Sequence, residues 1–275
     1  MIRGLVCHSL TFSRLAVLVV VCFSIVLPSI SFTQDWSKEQ KVTAVNLAGI
    51  AGVTAWGIAN WDYFGNSPKS ADEGWFSKDT PEGGADKWAH FYFSYTLSHI
   101  LAGTYDNWGY DRNRAALLGS LSSFGIMGYM EFGDSFSNYG FSKEDFAMNM
   151  FGCAAGFLLY RYPSIAKKID FRIEYIPRFD DADLVSDYEH MKFLMAVKPA
   201  GFNAFRKSRL RPFELQLGYY ARGYPDDLDK ERNIYFGVGL SLPYIFSRFS
   251  MKKTAKVFNY YQLPYTYMSY DRDLN

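Results

Sequence analysis

Cysteine is scarce in this 275-residue chain. It has three, and two of them, Cys7 and Cys22, fall in the first 22 residues, so Cys153 stands alone in the rest. That excludes an intramolecular disulfide framework and a paired-Cys metal site. With Gly152, Ala154 and Ala155 beside it, Cys153 reads as a small residue in a close helix contact rather than a thiolate nucleophile. An excess of one charge is also missing. The 29 Lys and Arg against 28 Asp and Glu leave a net charge of +1, without the basic face a nucleic-acid binder needs. There is no phosphate loop and no Gly-x-Ser-x-Gly elbow. The acidic residues Asp180, Asp181, Asp183 and Asp187 lack EF-hand spacing and its central Gly. The run Asp226, Asp227, Asp229, Lys230 and Glu231 reads as a solvated turn.

Aromatic residues, in contrast, are plentiful: 24 Phe, 21 Tyr and 6 Trp. Tyr and Trp favour places where one end of the ring is dry and the other wet, membrane interfaces included. The N-terminus has the form of a targeting segment. Arg3 and Arg14 precede an apolar run over 15–27, then Pro28, Ser29, Ile30 and Ser31 supply small residues for cleavage, giving an expected signal peptide over 1–31. An uncleaved anchor is the alternative, although the run is short for a span. A lipoprotein would carry its lipid on Cys22, but the preceding Val21 is bulky for that motif.

Two kinds of periodicity follow. Residues 42–59, 88–105, 115–130 and 146–160 are apolar and of helical length, and Pro163 ends the last. Small residues recur in them (Gly49 and Gly52, Gly119 and Ser123, Gly152 and Gly156), which lets helix backbones approach closely. Each run is somewhat short of the roughly 20 residues a bilayer needs. A compact bundle on a membrane surface and four short packed spans both fit. The polar, Gly-rich connection over 65–85 carries Trp75 and Phe76 and is expected to pack back on the bundle. Beyond Asp170 the period becomes two. Phe213, Leu215, Leu217 and Tyr219 alternate with Glu214, Gln216, Gly218 and Tyr220, and Ile234, Phe236, Val238, Leu240 and Leu242 alternate with Tyr235, Gly237, Gly239 and Ser241. Residues 171–176, 188–197 and 258–270 are weaker strand candidates. Apolar-out alternation resembles outer-membrane strands, but about five strands fall short of the eight of the smallest such barrel. The expected fold is therefore α+β: a bundle of about four short helices over 32–169, then a small antiparallel sheet over 170–275 packed on it.

Polar residues mark the ends of the apolar runs. Asp86 and His90, four apart, share a helix face, and Lys87 lies between them. Asp86 follows Gly83-Gly84-Ala85 and is expected to cap the helix. Glu131 and Asp134 close another run, where carboxylates oppose the helix dipole and call for a cation such as Lys87, a metal or a shared proton. Ser142 and Asp145 form a capping-box pattern, and Asn149 sits one turn on among Met148, Met150 and Phe151. His90, Glu131, Asp145 and Asn149 are expected to meet inside the bundle, with Asp86, Lys87 and Asp134 around them. They would form either a structural polar network or a catalytic set in which His90 is general base or metal ligand and Glu131 and Asp145 its carboxylate partners. No cofactor or metal is named by these residues.

The pattern Asp86-Lys87-Trp88-Ala89-His90-Phe91, then Glu131 and Asp134, then Ser142-x-x-Asp145-x-x-x-Asn149-x-x-Gly152, resembles the YfiM-like bacterial envelope proteins, a domain of unknown function. More distantly it is similar to the VanZ-like membrane proteins linked to glycopeptide resistance. Trp61-Asp62-Tyr63-Phe64 and Trp75 look like the longer YfiM-like members. The resemblance covers about 46–160. It implies an exported or membrane location and a polar cluster at the matching positions, and no established reaction. The resulting expectation is an exported, periplasm-facing protein on a membrane, the outer one in preference to the inner, with membrane or envelope components as partners. The alternative is a membrane-surface enzyme acting on a lipid or glycan precursor.

Overall fold

The computed structural model describes residues 36–176, 186–224 and 229–275. The expected signal peptide, with Cys7 and Cys22, and the acidic residues Asp180, Asp181, Asp183, Asp226 and Asp227 lie outside the described residues.

The architecture is α+β, helices first and an antiparallel sheet after them. Helices α1 (Lys38–Asn60), α2 (Ala85–Asn107) and α3 (Arg112–Asp134) have 23 residues each, and α4 (Lys143–Arg161) has 19. They outrun the apolar segments because polar turns extend them. Ser37 and Gln40 form a reciprocal capping box at α1, and Asp111 accepts from the backbone N–H groups of Asn113 and Arg114 at α3. At 1.5 Å per residue a helix of this length runs about 34 Å. Among the described helices, α1 is long and apolar enough to cross a membrane by length and composition, and only 17% of its apolar window is buried.

Helix α2 is central, packed on α3 and α4, while α1 packs on α3. Glycines set these approaches: Gly119 lies against the Ala102 backbone, Gly152 against the Phe91 carbonyl and Gly156 against Ser98. Polar side chains share the interior with an apolar core of Val45, Leu101, Tyr105 and Ile126. Asn46 of α1 donates to Ser122 Oγ at 2.9 Å, Thr54 pairs with Tyr129 at 2.8 Å, and Ser123 donates to the Ser94 carbonyl at 2.9 Å. The outside is apolar, with Leu47 and Ile58 of α1, Leu117 and Leu121 of α3, and Met150, Phe151 and Leu158 of α4 exposed. No Asp, Glu, Lys or Arg occurs in 42–59, 115–130 or 146–160. The bundle thus lacks the polar outer face of a helix packed in water, and polar side chains lie among its buried ones.

A short parallel pairing of β1 (Ser70–Ala71) with β2 (Phe141–Ser142) ties the connection over 65–85 to the start of α4. One helical turn, α5 (Pro163–Ala166), leads into the sheet. Its strands β3 (Ile169–Tyr175), β4 (Met191–Val197), β5 (Phe213–Arg222), β6 (Glu231–Leu240) and β7 (Tyr267–Asp273) form an antiparallel meander. Between β6 and β7 lie α6 (Leu242–Arg248) and α7 (Lys252–Val257). The candidate strand over 258–270 is thereby corrected: it begins at Tyr267 and extends to Asp273. Residues 260–262 instead line the free edge of β3, where Ile173 N–H donates to the Tyr260 carbonyl at 3.0 Å and Gln262 N–H to the Ile173 carbonyl at 2.8 Å. The opposite edges of the sheet are therefore joined through 263–266, and the sheet curls on itself.

Its apolar face packs on the bundle as expected, but only at one end. Phe171 packs edge-on to Phe91 and Tyr95, and Phe193 packs on Tyr92, so the β3–β4 end of the apolar face rests on α2. The same face continues through Leu215, Leu217, Phe236, Val238, Met268 and Tyr270, all exposed. The polar face is the enclosed one. Arg172, 1% exposed, donates to Glu214 at 2.6 Å, Asp170 at 2.9 Å and Gln262 at 3.0 Å, and Lys198 donates to Asp170 at 2.7 Å.

Candidate functional site

The polar residues expected to meet do so where α2 begins and α3 ends. Asp86 does not cap α2. The cap position belongs to Gly84, whose φ of 84° is a left-handed conformation that glycine tolerates, and it makes no side-chain cap bond. Asp86 instead accepts from Lys87 Nζ at 2.7 Å, and the same ammonium donates to Asp145 at 2.9 Å and Glu73 at 2.5 Å. Lys87 is fully buried, and three carboxylates meet its three N–H donors. It does not serve the C-terminus of α3. Sequence reasoning missed Glu73, which lies in the Gly-rich connection. Its signal was the imbalance itself, because a buried ammonium between only two acids leaves a donor unmet. Ser142 caps α4, accepting from Asp145 N–H at 3.2 Å, but the Asp145 carboxylate goes to Lys87 rather than back to the cap.

One turn beyond Lys87, His90 Nδ1 lies 3.1 Å from Glu131 Oε1 and 3.3 Å from Asn149 Oδ1. Asn149 Nδ2 donates to Glu131 Oε1 at 3.1 Å and its Oδ1 accepts from Ser94 at 2.8 Å, which sets the amide orientation. Both groups facing Nδ1 are thus acceptors, so Nδ1 carries a proton. Nε2 faces Asp145 Oδ1 across 3.9 Å, too far for a hydrogen bond, and that oxygen has no hydrogen-bond partner. Glu131 therefore finds its compensation in His90 and Asn149. Asp134, one turn further, lies beside Tyr63, which packs on Gly57 and Gly133. A cavity of about 640 Å³ opens on Asp86, His90, Glu131, Asp134 and Asp145, with Trp61, Phe93, Met127 and Tyr139 among its apolar walls.

The electrostatics of this end are strongly perturbed. Burial opposes charging of His90, but the carboxylates of Asp145 and Glu131 outweigh it and raise its pKa to about 10. Burial, reinforced by neighbouring acids, raises Glu82, Asp134 and Asp145 to about 7 each. All four groups are raised above their unfolded values, so each contributes stability at low pH and loses it as pH climbs through its folded pKa. For the three carboxyls that loss runs from about pH 4 to above 7, and for His90 from about 6.5 to 10. The melting temperature of the purified protein is expected to fall by about 5 °C or more between pH 5 and pH 9. A flat profile over that range would show that these groups titrate normally.

A second histidine joins the two halves of the fold. His99 Nε2 lies 2.9 Å from the Gly156 carbonyl and Nδ1 2.8 Å from Tyr260 Oη. A carbonyl only accepts, so Nε2–H donates to it and Nδ1 accepts from the tyrosine. Cys153 is buried and makes no part of the cavity wall.

Residues 72–161 match the family model DUF2279, described as a predicted periplasmic lipoprotein. The site elements fall inside this match. It spans about a third of the chain and supports an exported, periplasm-facing envelope domain of unknown role. Neither the curated proteins nor the solved structures give a match.

Proposed function

We propose that this is an exported envelope protein held in a membrane by its apolar exterior, with the cavity opening at its aqueous, periplasmic end. The observation that carries the reading is the apolar exterior of both halves, with polar groups buried beneath it. Serine, asparagine, histidine and carboxylate side chains lie inside the bundle, and arginine with its acids inside the sheet, while Leu, Phe, Met and Val face outward. Patches of that size on a protein in water mark an interaction surface. Internal hydrogen bonds between helices are how a bundle in lipid gains specificity. The His90–Glu131–Asn149 group then fixes the register of α2, α3 and α4. The resemblance of this segment to the YfiM-like and VanZ-like proteins belongs to the same proposal. A membrane-surface enzyme, the alternative reading, finds no support in the comparisons.

Cell fractionation tests it. The protein is expected to sediment with membranes, to stay there through an alkaline carbonate wash, and to be released by detergent. Density separation then assigns the outer or the inner membrane. A single cysteine placed at the exposed Asn138, beside the cavity, is expected to react in intact spheroplasts with a maleimide that cannot cross membranes. Release of the protein by osmotic shock alone would overturn the reading.

A further inference from the structure

The cavity sets His90 Nε2 opposite Asp145 Oδ1. His90 is oriented by Glu131 and Asn149 through Nδ1, which turns Nε2 toward Asp145. Asp145 is 4% exposed and its Oδ1 is without a hydrogen-bond partner. A buried carboxylate oxygen left unmet is costly, and each such atom calls for an explanation. The 3.9 Å gap between Nε2 and Oδ1 is too long for a hydrogen bond and suits an ion bound to both, since metal–ligand distances near ~2.1 Å place neighbouring donors about 3–4 Å apart. One donor atom from each of His90, Glu131 and Asp145 lies within 4.8 Å of the other two. The second acidic group nearby, Glu73, Asp86 and Asp145, already holds the Lys87 ammonium at 2.5–2.9 Å and is filled.

We infer that His90, Glu131 and Asp145 form a binding site for a divalent transition cation, Zn²⁺ or Mn²⁺, with its remaining coordination positions facing the cavity. The donor set, one imidazole and two carboxylates, is of the kind that suits these ions rather than a soft thiolate-seeking metal. Charge favours the same occupant. Glu73, Asp86, Glu131, Asp134 and Asp145 outnumber Lys87 and His90 at this end of the bundle. The inference is independent of the membrane reading, because binding is measured on purified protein wherever that protein resides.

The test uses the full chain, purified in detergent and stripped with EDTA, titrated calorimetrically with ZnCl₂ and separately with MnCl₂. One equivalent of at least one ion is expected to bind and to raise the melting temperature. His90→Ala and Asp145→Asn are each expected to weaken that binding at least tenfold and to abolish the thermal shift. Asp86→Asn, which touches Lys87 but not the ion, is expected to keep both. Glu131→Gln serves as a further ligand variant if His90→Ala does not fold. Absence of one-to-one binding of either ion to folded wild-type protein would overturn the inference. So would binding that folded ligand variants leave unchanged.

Discussion

Replacing Lys87 by Met is expected to destabilise the protein by about 3–5 kcal/mol, the usual cost of leaving buried charges without their partner. The substitution roughly keeps side-chain volume and removes only the ammonium. Glu73, Asp86 and Asp145 would then face one another with nothing between them, and all three lie within 2.9 Å of the lost Nζ. Thermal unfolding in detergent should show a fall in melting temperature of about 10 °C. Adding Glu73→Gln and Asp86→Asn to the Met variant should recover part of the loss, since the repulsion is then relieved. A single Lys87→Met substitution that lowers the melting temperature by less than about 2 °C would show that the ammonium does not hold this end of the bundle together.

The curled sheet offers the matching experiment. Arg172→Met leaves the buried Glu214 carboxylate with the Gln216 amide and no cation, and Asp170 with Lys198 alone. A loss of about 3–5 kcal/mol is again expected. Here the reverse replacement is informative, because apolar residues of similar volume can substitute for a whole buried ion group at little cost. Arg172→Met combined with Glu214→Leu should therefore be more stable than Arg172→Met alone. If the single variant unfolds at the wild-type urea midpoint, the enclosed face contributes nothing to holding the strands together.

Much of this architecture is legible in the sequence where one physical signal dominates. The apolar runs over 42–59, 88–105, 115–130 and 146–160 all lie in helices, and the alternation from Phe213 and from Ile234 marks β5 and β6. The meeting of His90, Glu131 and Asn149 is legible because each is an expensive residue for its surroundings. Other features depend on contacts that no local pattern carries. Asp86 looks like a cap because its neighbours are turn residues, yet a buried lysine next door claims it. Glu73 looks like a loop residue until the pairing of β1 with β2 brings it over Lys87. For the sheet, the alternation was plain but its sense was not. A period of two says that two faces differ without saying which is inside, and Asp170, Arg172 and Glu174 were the residues that could have decided it.

The joining of the sheet edges also orders events during folding. Ile173 pairs with Tyr261, and the chain between them supplies β4, β5, β6, α6 and α7. A growing chain therefore presents β3 long before its closing partner exists, with one row of backbone groups open to any other strand. Closure is a long-range event and so a slow one. Until it happens Arg172 and its acids stand in water rather than in an enclosed core. For this protein the residues near 260 act as a latch, and only their pairing with Ile173 closes the open edge of β3.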